Sequence, residues 1–168
     1  MTDIDINSKD TLQLHGADEN RDFVLALAQQ AQRELVIFSQ ELDAPLYDNE
    51  AFERAVFDLA RRHPSTQIRI LLQDATRALH DGHRLLRLAQ TLTSSVFIRR
   101  PSRDYREQQG AFIIADATAY LQRVVGNQYN HQAIASFVAP LQAGQLNEHF
   151  NKIWEHADDD PRLRRLYV

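Results

Sequence analysis

Two short, almost unbroken apolar runs with an amphipathic helix between them constrain this chain more than any other feature. One is Glu34-Leu35-Val36-Ile37-Phe38-Ser39; the other, residues 67–73, carries Ile68, Ile70, Leu71 and Leu72. Runs of this kind suit strands covered on both faces, as in a sheet flanked by helices. Between them, residues 49–63 place Phe52, Val56 and Leu59 on one stripe and Arg54, Asp58, Arg61 and Arg62 away from it, and Pro64 stops the helix. Strand, helix and strand at this spacing predict a right-handed parallel crossover.

The remaining elements extend the same alternation. Asp18 or Asn20 caps a helix that buries Phe23, Val24, Leu27, Ala28 and Ala31, with acidic residues in its first turn. Residues 41–48, with Pro45, read as a loop. A helical region runs from Asp74 to about Leu92, a strand covers 95–100, and a polar loop covers 101–109. A strand at 133–138 precedes a closing helix, 142 to about 157, that buries Leu146, Phe150 and Ile153 or Trp154. Helices alternating with strands, then a run of strands and a final helix, give an α/β fold with a mixed sheet flanked by helices. At 168 residues and 43% apolar, the chain suffices for one core, so we expect a single domain. Residues 1–15 read as a flexible N-terminal tail, with Leu12 and Leu14 able to add a brief strand, and residues 16–168 as the domain.

The stretch 105–130, YREQQGAFIIADATAYLQRVVGNQYN, carries the chain's most distinctive pattern. Phe112 to Ala115 is an apolar run, Asp116-Ala117-Thr118 is turn chemistry, and residues 119–125 alternate Tyr120, Gln122 and Val124 against Leu121, Arg123 and Val125. Two tightly joined strands, the first ending in a carboxylate, make a hairpin. This layout resembles the phospholipase D superfamily, whose signature is H-x-K-x4-D followed by Gly-Ser and an Asn, with the Asp just after an apolar strand. Aligned on Asp116, the His position is Gln109 and the Lys position is Ala111. Gly126-Asn127-x-x-Asn130 is similar to the family's G-S-x-x-N, with the Ser replaced and the spacing from Asp116 longer. Phe150-x-x-x-Trp154-Glu155 and Asp160-Pro161-x-Leu163-Arg164-Arg165-Leu166 are further points of likeness, above all to degenerate phospholipase D-like domains of unknown function found in proteobacteria. Some of those are joined to an acetyltransferase domain.

In the family the His attacks phosphorus and the Lys holds phosphate oxygens, so the resemblance implies a scaffold without its reaction. A carboxamide at 109 has no titrating nitrogen and no lone pair of comparable basicity, and a methyl group at 111 brings no charge to the transition state. Asp116 retains a structural reading as a turn residue that accepts backbone N–H groups. Relatives with one motif pair two subunits face to face, which implies a homodimer here.

Charge supplies the second candidate surface. The net charge is −4, yet residues 1–80 hold 8 Lys+Arg against 14 Asp+Glu, whereas residues 81–168 hold 11 against 9. Arg84, Arg87, Arg99, Arg100, Arg103 and Arg106 make the one basic concentration, and Arg99, Arg100, Arg103 and Arg106 run from a strand end into a loop where guanidinium forks can meet phosphate or carboxylate groups. An acidic total argues against broad duplex binding, but the local arginine patch can still bind RNA, a phosphorylated ligand or an acidic protein partner. His80-x-x-His83 offers two imidazoles, fewer than a zinc centre needs, and we read both as solvent-facing, with no metal and no cofactor. His131 follows Asn130 closely enough to suggest a displaced nucleophile, but no base or charge partner is visible beside it. With no apolar run of about 20 residues and no leader pattern, we expect a cytoplasmic protein without a membrane span.

Together these readings give a non-catalytic phospholipase D-like binding or regulatory module, with no catalytic residue assigned. The alternative is a diverged phosphodiesterase or nuclease that uses other residues.

Overall fold

The computed structural model describes residues 4–123 and 131–164. In chain order its elements are β1 (Leu12–Leu14), α1 (Gly16–Gln30), β2 (Glu34–Ser39), α2 (Ala44–Tyr47), α3 (Glu50–Arg62), β3 (Gln67–Leu72), α4 (Thr76–Asp81), α5 (Arg84–Thr91), β4 (Val96–Arg99), a 3-10 turn (Arg103–Tyr105), β5 (Ala111–Ala115), β6 (Ala119–Arg123), β7 (Ala133–Ser136), α6 (Pro140–Glu155) and α7 (Pro161–Arg164). The strands form one sheet in the order β1-β7-β6-β5-β2-β3-β4. β2, β3 and β4 are parallel, joined by helical crossovers, and β5, β6, β7 and β1 continue antiparallel from β2. The sequence reading of a mixed sheet flanked by helices describes this architecture.

Alternation along the strands divides the core. Leu35, Ile37, Ile68, Ile70, Ile113 and Leu121 face α1, α3 and α5 in the larger cluster. Val36, Phe38, Leu71, Phe112, Ile114 and Tyr120 face α6 on the other side. There the rings of Phe38, Phe112, Phe150 and Trp154 form a contiguous row with centroids 5.3, 6.3 and 5.7 Å apart. The Arg69 guanidinium lies over Phe150 and Trp154 and pairs with Glu34 at 2.7 Å, so its charge is matched while its stem covers apolar surface.

Some local outcomes differ from the sequence reading: α1 starts at Gly16 after His15, so neither Asp18 nor Asn20 caps it. The region 74–92 is two helices, because Gly82 takes a left-handed conformation (φ 62°) that ends α4, and His83 caps α5 by accepting from Leu85 N–H at 3.1 Å. His83 is therefore not solvent-facing: it is 2% exposed, and its Nε2 donates to the Leu42 carbonyl at 3.0 Å. Residues 44–47 of the expected loop form α2, with Pro45 in the first turn, where its missing N–H costs nothing. β1 pairs antiparallel with β7, with Leu12 opposite Ala135.

The β5–β6 hairpin turns through Asp116 and Ala117, both at positive φ (53° and 55°), with Thr118 N–H donating to the Ala115 carbonyl at 3.1 Å. Asp116 tolerates this region better than most residues do. Its carboxylate reaches beyond its own turn to accept from the N–H groups of Gln32, Arg33 and Glu34 at 2.8, 2.9 and 3.0 Å. One side chain thus ties the α1–β2 connection to the hairpin and fixes the start of the central strand. Asp116→Ala should lower stability by about 2–3 kcal/mol, the scale of several charge-assisted bonds lost at a half-buried site. An unchanged denaturation midpoint would contradict that role.

Burial holds the His83 imidazole below its ordinary pKa, against the neighbouring Asp48 charge, and burial likewise lowers His131 and His149. The folded chain takes up these protons less readily than the unfolded chain. Their contribution is therefore fully present above the unfolded value of about 6.5 and is lost as pH falls through it toward the folded values. Urea midpoints should fall between pH 7.5 and pH 5.5, with a smaller fall in His83→Gln; a flat wild-type profile would contradict this.

Candidate functional site

The sheet topology brings two of the motif positions, 109 and 111, to one edge. Because β5 runs antiparallel to β2, with Phe38 opposite Phe112, the start of β5 lies beside the C-terminal ends of β2, β3 and β4. The C-terminal end of β6 meets them, since Ala111 is the register partner of Arg123. His131, just ahead of β7, comes to the same edge. Asp116, at the opposite end of β5, does not.

At this edge Gln109 is exposed and Ala111 is buried, 3% exposed. Gly110, at φ 98°, sits between them, and the Gln40 amide donates to the carbonyls of Gln108 and Gly110 at 3.0 and 3.1 Å. Gln73 holds the preceding loop through the Tyr105 carbonyl at 2.8 Å, and the Gln108 amide donates to His149 Nε2 at 2.6 Å. The backbone entering β5 is thus clamped by amides, and neither motif position offers a nucleophile or a cation. Gly126, Asn127 and Asn130 lie outside the described residues.

The buried charge at this edge comes from residues to which the sequence reading gave no role. Arg123 is 1% exposed and donates through Nη2 to the Asp43 carboxylate, itself 5% exposed. Asp43 is held by its neighbours: Leu42 takes positive φ (63°), unusual for a branched side chain, while Ser39 Oγ accepts its N–H at 2.8 Å and His83 Nε2 donates to its carbonyl. Tyr47 is buried nearby, and burial pushes its phenol well above the ordinary range, partly offset by the Arg123 charge. The His131 ring feels Arg123 and Asp43 as well, and its carbonyl accepts from the buried Asn20 amide. One signal pointed here: Arg123 shares the strand parity of Leu121, so it had to face the core.

The four arginines of the basic stretch have separate surroundings. Arg99 lies 4.4 Å from the Trp154 ring centre and donates to the Trp154 carbonyl at 3.2 Å. Arg100 exchanges backbone hydrogen bonds with Asp158 at 2.7 and 3.0 Å. Beside it the Thr76 hydroxyl and N–H hold the Asp74 carboxyl below its ordinary range, with Arg162 and Arg100 adding to the effect. Arg162 itself bridges Asp160 at 3.0 Å and Thr76 at 2.7 Å. Arg103 and Arg106 are exposed. His80 is exposed and pairs with Asp81 at 3.0 Å, while both ring nitrogens of His83 serve the backbone, so this spacing does not make a ligand pair. Among the described residues no group of three or more His, Asp or Glu is placed to hold a metal ion, and no helix is long and apolar enough to cross a membrane.

The same fold occurs in solved structures. Nuc from Salmonella typhimurium, a phospholipase D family member, superposes with a TM-score of 0.67 at 15% identity over 90% of this chain and 97% of its own. NucT from Helicobacter pylori gives 0.60 at 9% identity over 90% and 99%. TrmBL2, an archaeal chromatin protein with a novel mode of DNA binding, gives 0.64 at 13% identity over 89% of this chain, which spans only 54% of that longer protein. These likenesses establish the fold. No curated protein matches the sequence. A family profile described as a domain of unknown function, DUF7931, matches residues 16–166, and the chain, built on the phospholipase D-like fold, belongs to that family.

Proposed function

We propose that this chain is a non-catalytic binding or regulatory module on a phospholipase D-like scaffold, and that it engages an anionic partner, RNA first among the candidates, through its arginine-bearing edge. The observation that carries the proposal is the head of β5, where an exposed carboxamide and a buried methyl group stand at 109 and 111. Neither can form a covalent phosphoryl intermediate or hold a transferring phosphate. The chain contains two lysines, Lys9 and Lys152, and neither belongs to the strands that build this edge. For the partner, Arg103 and Arg106 are exposed beside the edge, with Arg106 Nε donating to the Pro101 carbonyl at 3.4 Å, while the Arg99 guanidinium is engaged with Trp154. The DNA-binding chromatin protein among the structural neighbours supports a nucleic-acid reading of this scaffold. A homodimer, as in single-motif relatives, would double the surface.

The alternative, a diverged phosphodiesterase, draws support from one observation: His131 sits close enough to Arg123 and Asp43 to feel both charges. An imidazole beside a guanidinium is the minimum such chemistry would need.

One set of samples separates these readings. Arg103→Ala/Arg106→Ala should weaken binding of single-stranded RNA and flatten its log-log salt dependence by roughly 1.4, about 0.7 for each lost phosphate contact. An unchanged slope would remove the arginine face. The wild-type protein should show no turnover of bis-p-nitrophenyl phosphate or single-stranded DNA; turnover abolished by His131→Ala would establish the hydrolase instead. Light scattering should give twice the 19.4 kDa chain mass, and a monomer at high concentration would remove the dimer.

A further inference from the structure

β4 ends the sheet, and the chain that leaves α6 covers the end of its outer edge. Arg100 N–H donates to the Asp158 carbonyl at 2.7 Å and Asp158 N–H donates to the Arg100 carbonyl at 3.0 Å, a single antiparallel bridge just beyond the strand. Two residues on, Asp160 is 3% exposed and accepts from Arg162 Nη2 and from the Arg162 N–H, each at 3.0 Å. Arg162 continues to the Thr76 hydroxyl at 2.7 Å and the Asp74 carboxylate at 3.8 Å, and Leu163 packs against the larger core. Residues 158–163 thus form a strap from the edge of β4 to the start of α4.

Charge sets what the strap does to its surroundings. It begins Asp158-Asp159-Asp160 and is bridged to the middle of the basic stretch. Burial disfavours the Asp160 charge, but the hydrogen bonds of Arg162 and the charges of Arg162 and Arg100 outweigh it and hold the carboxyl below its ordinary range. Arg100 Nε is buried without a hydrogen-bond partner among the described residues, a cost that a guanidinium turned out to solvent or to an anion would not carry. Arg106 Nε donates to the carbonyl of Pro101, the residue after the bridged Arg100, so the arginine face adjoins the strap. The anchoring is slight. The Asp160–Arg162 bonds lie within the strap and survive its release, which leaves one backbone bridge, the Leu163 contact and the bonds of an exposed Arg162 to Thr76 and Asp74.

We propose that residues 158–163 are an autoinhibitory strap: closed, they set their own carboxylates against Arg100 and the adjoining arginine face, and open, they release Arg100 to join Arg103 and Arg106 against single-stranded RNA. The inference rests on the RNA reading above and adds its regulation. Strap and RNA compete for one surface, so each disfavours the other. A strap open about a tenth of the time lowers the apparent RNA affinity about tenfold.

Oligouridylate binding to the full chain, read by fluorescence anisotropy, and amide hydrogen exchange at Arg100 and Asp158 test this together. Arg162→Glu sets a carboxylate against Asp74 and Asp160; it should speed exchange at both amides and tighten oligouridylate binding by up to about tenfold. A direct effect of charge predicts the opposite, because the change makes the chain more acidic. In the wild-type chain, saturating oligouridylate should speed exchange at Arg100 and Asp158 and leave that of Ile70 in β3 unchanged, a readout that decides the matter even if Arg162→Glu fails to fold. Equal or weaker binding by the folded Arg162→Glu chain would overturn the strap and leave the RNA reading standing. Exchange at Arg100 and Asp158 that slows or stays the same when oligouridylate binds to the wild-type chain would do so too. Absence of oligouridylate binding by both chains would overturn the RNA reading, and this inference with it.

Discussion

A guanidinium that is 1% exposed is tolerated in a protein interior only when a carboxylate meets it, and here Asp43 meets Arg123 across the end of the sheet. The pair joins the last residue of β6 to the loop that follows the central strand, so the two halves of the sheet, parallel and antiparallel, are locked at the same edge. Ser39 and His83 hold Leu42 in its left-handed conformation, which delivers Asp43 to that position. Desolvating two charges brings little net stability, but their mutual dependence makes this arrangement costly to rearrange.

The direction of β5 carries its first and last residues to opposite edges of the sheet. Its two ends serve different purposes. At one end Asp116 accepts three backbone N–H groups from the α1–β2 connection, work that folding requires whether or not any chemistry occurs. At the other end Gln109 and Ala111 enter the edge with no charge, and the cation present there comes from the neighbouring strand at the position opposite Ala111.

Much of the architecture was legible because it rests on periodicity. The apolar runs at 34–39 and 67–72 became the parallel centre, and the turn chemistry at 116–118 became the hairpin. What was not legible depends on long-range partners. Nothing local in His83 signals that both of its nitrogens will be used by the backbone, one by a residue 41 positions away. Asp43 looked like a loop acid among others, and its partner lies 80 residues away. Arg123 carried the one local warning, an arginine in step with Leu121 on an inward parity. The basic stretch read as one surface, yet Trp154 engages the Arg99 guanidinium and the Arg100 backbone bridges to Asp158, while Arg103 and Arg106 are exposed.

A double-mutant cycle on Asp43 and Arg123 bears most directly on the claim that this buried pair organises the edge. Each single change, Asp43→Leu or Arg123→Met, strands the other charge in the interior and should cost about 3–5 kcal/mol, while the double change should cost far less than the sum. Additive losses, or single variants close to wild type, would contradict the account.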